Sequence, residues 1–145
     1  MKYFTLIFLF TYLSLSSFGQ MSICDSLKKE FELCETDSCK SQETINIFDY
    51  WLEINQDSAK FYMQEYLEYF TSKKYDLGIV ITSQNLAQIE KTNGNYEKSF
   101  RILNDAYNSI SDDFSKIILL LNLAENNRIT EDFETSEEQL KDAVN

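Results

Sequence analysis

The sequence predicts an all-α protein built from stacked helical hairpins that follow an N-terminal processing signal. Three observations carry this expectation. Apolar residues recur at the helical period of 3.6 through most of the chain. There is no proline, so nothing removes a backbone donor or clashes with a preceding helical turn. A stretch of the second half returns at a fixed shift, the mark of a repeat architecture.

The processing signal is residues 1–20. Lys2 is the only charged residue there. Tyr3 to Leu15 is apolar apart from Thr5, Thr11 and Ser14. Ser17 and Gly19 are the small residues at −3 and −1 before Gln20. The apolar run falls short of the ~20 residues that span a bilayer, so it reads as a cleaved signal rather than an anchor. Ile23 stands directly before Cys24, where a lipoprotein signal has a small residue. The mature chain is expected to be exported, periplasmic or secreted, and free of the membrane after cleavage.

Residues 21–44 are expected to hold a short leading helix on Leu27, Phe31 and Cys34, then a cysteine-containing loop. An oxidising compartment favours a disulfide. Cys34 and Cys39 enclose the turn-forming Glu35-Thr36-Asp37-Ser38 and are a candidate pair. Cys24 with Cys34 is the other open pairing. Three cysteines leave one thiol over, or pair it between chains. Zinc is disfavoured, because there is no fourth soft ligand and no histidine.

Residues 45–145 divide into three hairpins, about 45–75, 76–112 and 113–145. In the first, Ile45, Phe48 and Leu52, with Ile47, Trp51 and Ile54, predict a helix over 45–54. Asn55-Gln56-Asp57 reads as a turn before a second helix, Ser58 to Thr71. Its aromatics Phe61, Tyr62, Tyr66, Tyr69 and Phe70 lie at helical spacing and read as core packing rather than a ligand platform.

The second and third hairpins carry the repeat. Asn85 to Asn108 aligns with Asn122 to Asn145 at a shift of 37, with nine of 24 positions identical. Asn93-Gly94-Asn95 is a turn signal with Asn95 as the N-cap, and Asp132 takes that place in the next copy. Small Ala87, Ser99 and Ala106 stand where two helices must approach closely, so Ala106→Leu is expected to overpack a seam. Large Leu86, Tyr96 and Leu103 fill the space beside them.

This pattern resembles the tetratricopeptide repeat. That family places a large and a small residue together on the first helix, glycine then an aromatic at the turn, and small residues twice on the second helix. Leu86-Ala87, Gly94, Tyr96, Ser99 and Ala106 match, and so do Leu123-Ala124, Phe133, Ser136 and Ala143. Glu131 replaces the turn glycine in the last copy, Ser83 stands where the family has an aromatic, and the closing proline is absent. The phrase from Asp57 to Ala106 is also similar to tetratricopeptide regions of exported bacterial sensors and regulators. The resemblance implies an α-solenoid fragment whose concave groove holds a peptide or a protein segment. On the family pattern the groove residues are Ile81, Gln84, Gln88 and Lys91, then Ile118, Leu121, Glu125 and Arg128. Lys91 and Arg128 are equivalent positions expected side by side, able to take a carboxylate. The plainer reading of both is a solvated cation near a helix C-terminus.

Composition narrows the function. The net charge is −11, and −12 without the segment holding Lys2, so the chain repels nucleic-acid phosphates and anionic membranes. Without histidine there is no ready general base for a cysteine nucleophile. The acids Glu131, Asp132, Glu134, Glu137 and Glu138 lack the spacing and glycine of a calcium loop. No catalytic residue, metal or cofactor is expected. The expected function is non-catalytic binding of a protein or peptide segment. The alternative is the N-terminal sensory or scaffolding region of a longer signal-transduction regulator.

Overall fold

The computed structural model describes residues 23, 25–130 and 132–144. Residues 1–20, expected to be a processing signal, and Cys24 and Glu131 lie outside the described residues. Among the described residues seven helices follow in order: α1 (residues 25–33), α2 (Asp37–Ile54), α3 (Gln56–Lys73), α4 (Asp76–Thr92), α5 (Tyr96–Ser109), α6 (Asp113–Ile129) and α7 (Phe133–Val144). No strand occurs among the described residues.

Local chemistry sets the helix ends. Thr36 accepts from the Cys39 N–H at 3.2 Å and so starts α2 at Asp37. The helix therefore begins eight residues before Ile45. The segment Ser38 to Thr44 is almost wholly polar, which hides its helical period from the sequence. Asn55 accepts from the Ser58 N–H at 3.0 Å, and Asp112 from the Ser115 N–H at 2.7 Å. Gln56 and Asp57, expected in a turn, are the first residues of α3, because Asn55 alone caps it. Lys74, at φ 53°, and Gly94, at φ 76°, close α3 and the α4–α5 turn in the left-handed region. Asp132 accepts from the Thr135 N–H at 3.3 Å and caps α7.

The helices pair as hairpins α2–α3, α4–α5 and α6–α7, and successive hairpins stack. The first helices α2, α4 and α6 also touch one another in series. Among the described residues α3 and α5 do not. First helices that crowd together while second helices spread apart give an array with α2, α4 and α6 on its inner side. The gap between α3 and α5 is an apolar cleft of about 270 Å³, walled by Leu67, Ile102 and Ala106 and floored by Ile79 and Ser83 of α4.

One core runs through the stack, from Ile47, Met63 and Phe70 through Ile79 and Ile89 to Leu103, Leu119 and Leu123. Each such side chain contributes roughly 1.5–3 kcal/mol when withdrawn from water. Helix α1 closes the N-terminal end. Phe31 stacks on Tyr66 at 4.4 Å, Trp51 stacks on Tyr62 at 5.6 Å, and Lys40 covers Phe31 at 4.6 Å. Phe61, from the same aromatic series, instead faces solvent. A disulfide joins Cys34 to Cys39 with Cα atoms 5.5 Å apart, tying the end of α1 to the first turn of α2.

Candidate functional site

The inner side of the array carries a polar cleft of about 260 Å³ between α4 and α6. Helix α4 supplies Gln84, Asn85, Gln88 and Lys91, and α6 supplies Asn122 and Asn126. Ser99 and Leu103 of α5 close the bottom. Asn126 is buried and donates to the Ser99 hydroxyl at 2.8 Å, which pins the floor. Asn122 donates to its own Ile118 carbonyl at 2.8 Å. The walls are thus mostly side-chain amides, each able to donate and to accept.

Gln84, Gln88 and Lys91 of the expected groove residues line this cleft. Ile81 is half-buried outside it. Ile118, Leu121, Glu125 and Arg128 do not line it either. Ile118 packs against the core, Leu121 and Arg128 are exposed, and Glu125 is half-buried at the rim. The reason is geometric. Repeats related by a translation show the same flank in the same direction. If α4 turns Gln84, Gln88 and Lys91 toward α6, then α6 turns Leu121, Glu125 and Arg128 onward, away from α4. The wall that faces back is the other flank, Asn122 and Asn126. Asn85 and Asn122 are one shared position that lines the cleft from both sides, and the rest of the lining is non-equivalent, so copying the α4 set Gln84, Gln88 and Lys91 along the array misses Asn122 and Asn126.

The electrostatics at the rim follow from this. Arg128 grips Glu125 with two hydrogen bonds of 2.9 and 3.0 Å. Those bonds, with the nearby charges of Arg128 and Lys91, hold the Glu125 carboxyl below its ordinary range. Glu125 therefore offsets one of the two cations. The pair Lys91 and Arg128 is not an open carboxylate clamp, and Lys91 is the cation that faces the cleft.

A second polar cluster was not legible in the sequence. Glu90, at the end of α4, is 1% exposed. Lys60 of α3 donates to its Oε1, Lys98 of α5 approaches the same oxygen at 2.8 Å, and Asn95 donates to Oε2 at 3.0 Å. Burial pushes the carboxyl up, but the three hydrogen bonds outweigh it and hold the pKa at about 2. Asn95 occupies the N-cap position of α5, yet its side chain makes no cap bond and serves Glu90 instead. Asp76, the first residue of α4, works in the same manner between hairpins. It accepts from the backbone N–H of Ser111 at 2.8 Å and of Asp112 at 2.7 Å. Burial pushes its carboxyl up, and those N–H groups with the Ser111 hydroxyl bring it below its ordinary value.

No helix among the described residues is long and apolar enough to cross a membrane. Comparison of the chain with protein-family models, with curated proteins and with solved structures gives no match.

Proposed function

We propose that this chain is an exported tetratricopeptide-like module that binds an extended segment of another protein in the cleft between α4 and α6, without catalysing a reaction. The observation that carries the reading is the amide lining. Gln84, Gln88, Asn122 and Asn126 match the alternating N–H and C=O groups of an extended backbone, whatever its side chains. Size points the same way. A volume of about 260 Å³ falls below the ~300–1,000 Å³ usual for small-molecule and cofactor sites. It suits a short stretch of chain crossing the groove. Lys91 adds a preference for an acidic or carboxylate-bearing residue at one end. The absence of histidine supports binding over catalysis, and a net charge of −11 argues against nucleic acid as the partner. Export is supported by the leader-like residues 1–20 and by the Cys34–Cys39 disulfide.

A random-peptide array probed with the labelled chain tests this. Peptides should be captured, and Gln88→Ala with Asn122→Ala should weaken capture tenfold or more while far-UV helicity stays unchanged. Charge-reversed Lys91→Glu should shift the captured set away from acidic peptides. Capture that is indifferent to all three substitutions would remove the cleft from the account.

A further inference from the structure

Among the described residues, the α6–α7 hairpin leaves open a face that the α4–α5 hairpin has covered. The internal repeat makes the comparison direct, because residues 37 apart occupy equivalent positions. Leu103 on α5 is 2% exposed and its equivalent Leu140 on α7 is 45% exposed. Val80 on α4 is 1% exposed and its equivalent Ile117 on α6 is 37% exposed. Leu121, one helical turn from Ile117, is exposed as well. The difference has one cause. Helix α6 lies over α4 and α5, whereas α7 has no packing neighbour other than α6 among the described residues. Ile117, Leu121 and Leu140 form the surface onto which an equivalent of α6 would fit.

We propose that this α6–α7 end is a docking face for an amphipathic helix of a partner protein, with two leucine-class residues one turn apart and basic side chains at its edges. The apolar part of that description comes from continuity with the interface already present. Helix α6 covers the preceding hairpin through Leu119 and Leu123, an i, i+4 pair that is fully or almost fully buried. The basic part comes from charge. The segment 113–144 carries Lys116, Arg128 and Lys141 against eight acidic residues, a net of −5. A second copy of the chain would bring the same excess against it, whereas a basic-edged helix is attracted. This face lies on the far side of α6 from the amide cleft and is independent of it.

The probe is a synthetic 17-residue peptide with the α6 sequence, Asp113–Ile129, carrying Asp113→Lys and Glu125→Lys. Its binding to the chain is followed by fluorescence anisotropy. Saturable binding is expected. It should weaken at least tenfold with Leu140→Asp or Ile117→Asp in the chain, and stay unchanged with Gln88→Ala. Both variant positions are already exposed, and far-UV spectra check that the variants fold. Raising the salt, or using the unsubstituted peptide, whose two acids and two bases cancel, should also weaken binding. Four results would each overturn the proposal. These are no binding by the parent, equal binding by the Leu140→Asp variant, loss of binding confined to Gln88→Ala, and parent self-association that Leu140→Asp abolishes. The last would make a second copy the occupant.

Discussion

At the scale of single residues, Glu90 and Gly78 show how much of the fold rests on contacts made across helices. Glu90 gathers Lys60, Lys98 and Asn95 from three neighbouring segments onto one buried carboxylate. Its pKa falls from an ordinary 4.5 to about 2 in the folded chain. A depressed folded value means stability that is present above the unfolded pKa and lost as pH drops through the folded one. Acid unfolding should therefore show a loss of order 3 kcal/mol between about pH 4.5 and pH 2. Glu90→Gln should flatten that part of the profile. It should also cost about 3 kcal/mol at pH 7, the low end for breaking a buried pair, because Lys60 and Lys98 can regain water. Urea titrations of parent and variant across that pH range would measure both. Gly78 acts by absence. In a helix interior, alanine is ordinarily worth ~1 kcal/mol more than glycine. Here a Cβ at Gly78 would overlap the fully buried ring of Phe70. Overpacking costs roughly 1–3 kcal/mol, so Gly78→Ala should lower the urea midpoint despite its better helix propensity.

At the scale of elements, small residues decide how closely helices approach, but not every small residue marks a tight seam. Ala59 and Ser99 are fully buried at matching places on α3 and α5. Ala106 was expected from the repeat to be another close contact. It is buried, yet it borders the open apolar cleft between α3 and α5 beside Leu67 and Ser83. Three extra carbons at Ala59 have nowhere to go, whereas at Ala106 they can enter the cleft. Ala59→Leu should cost about 1–3 kcal/mol. Ala106→Leu should stay within about 1 kcal/mol of the parent, because the apolar area it gains offsets the strain. Thermal unfolding of the two variants beside the parent separates the cases. The cleft also explains why Ser83 is tolerated at the position where the repeat pattern has an aromatic. Among the described residues its hydroxyl has no hydrogen-bond partner, and it sits on the floor of the apolar cleft beside Leu67 and Ala106.

At the scale of the whole molecule, the array carries a large excess of negative charge on a small curved body. A net of −11 at pH 7 makes the compact state self-repelling. The Debye length falls from ~10 Å at 0.1 M salt to ~3 Å at 1 M. Sodium chloride raised from low concentration to 0.5 M should therefore raise the melting temperature. The buried Glu90 cluster, being screened less, should survive the change. A melting temperature that fell with salt would mean that surface ion pairs such as Lys141–Glu137, at 2.8 Å, outweigh the repulsion. The same curvature that crowds α2, α4 and α6 together forms the amide cleft on the inner side and spreads α3 from α5 on the outer side.

The sequence by itself determined the all-α class and the turns at Asn93–Asn95 and before α7, while the first hairpin's start and its turn at Asn55 were only partly legible. These follow from local rules: apolar period, capping residues, a left-handed glycine and a repeat that needs no knowledge of distance. The resemblance to the tetratricopeptide pattern, carried over position by position, also marked Gln84, Gln88 and Lys91, which line the cleft. Only the tertiary structure decided what each flank faces. Asn122 and Asn126, not Leu121 and Glu125, form the cleft's second wall because, apart from the shared Asn85 and Asn122 position, the two helices meet through different flanks. Helix α2 began at Asp37 because a Thr36 cap and packing by its neighbours outweighed a polar, unpatterned stretch. Glu90 looked like one acid among 24. Its role depends on Lys60, thirty residues away in sequence, and no local pattern records a contact of that range.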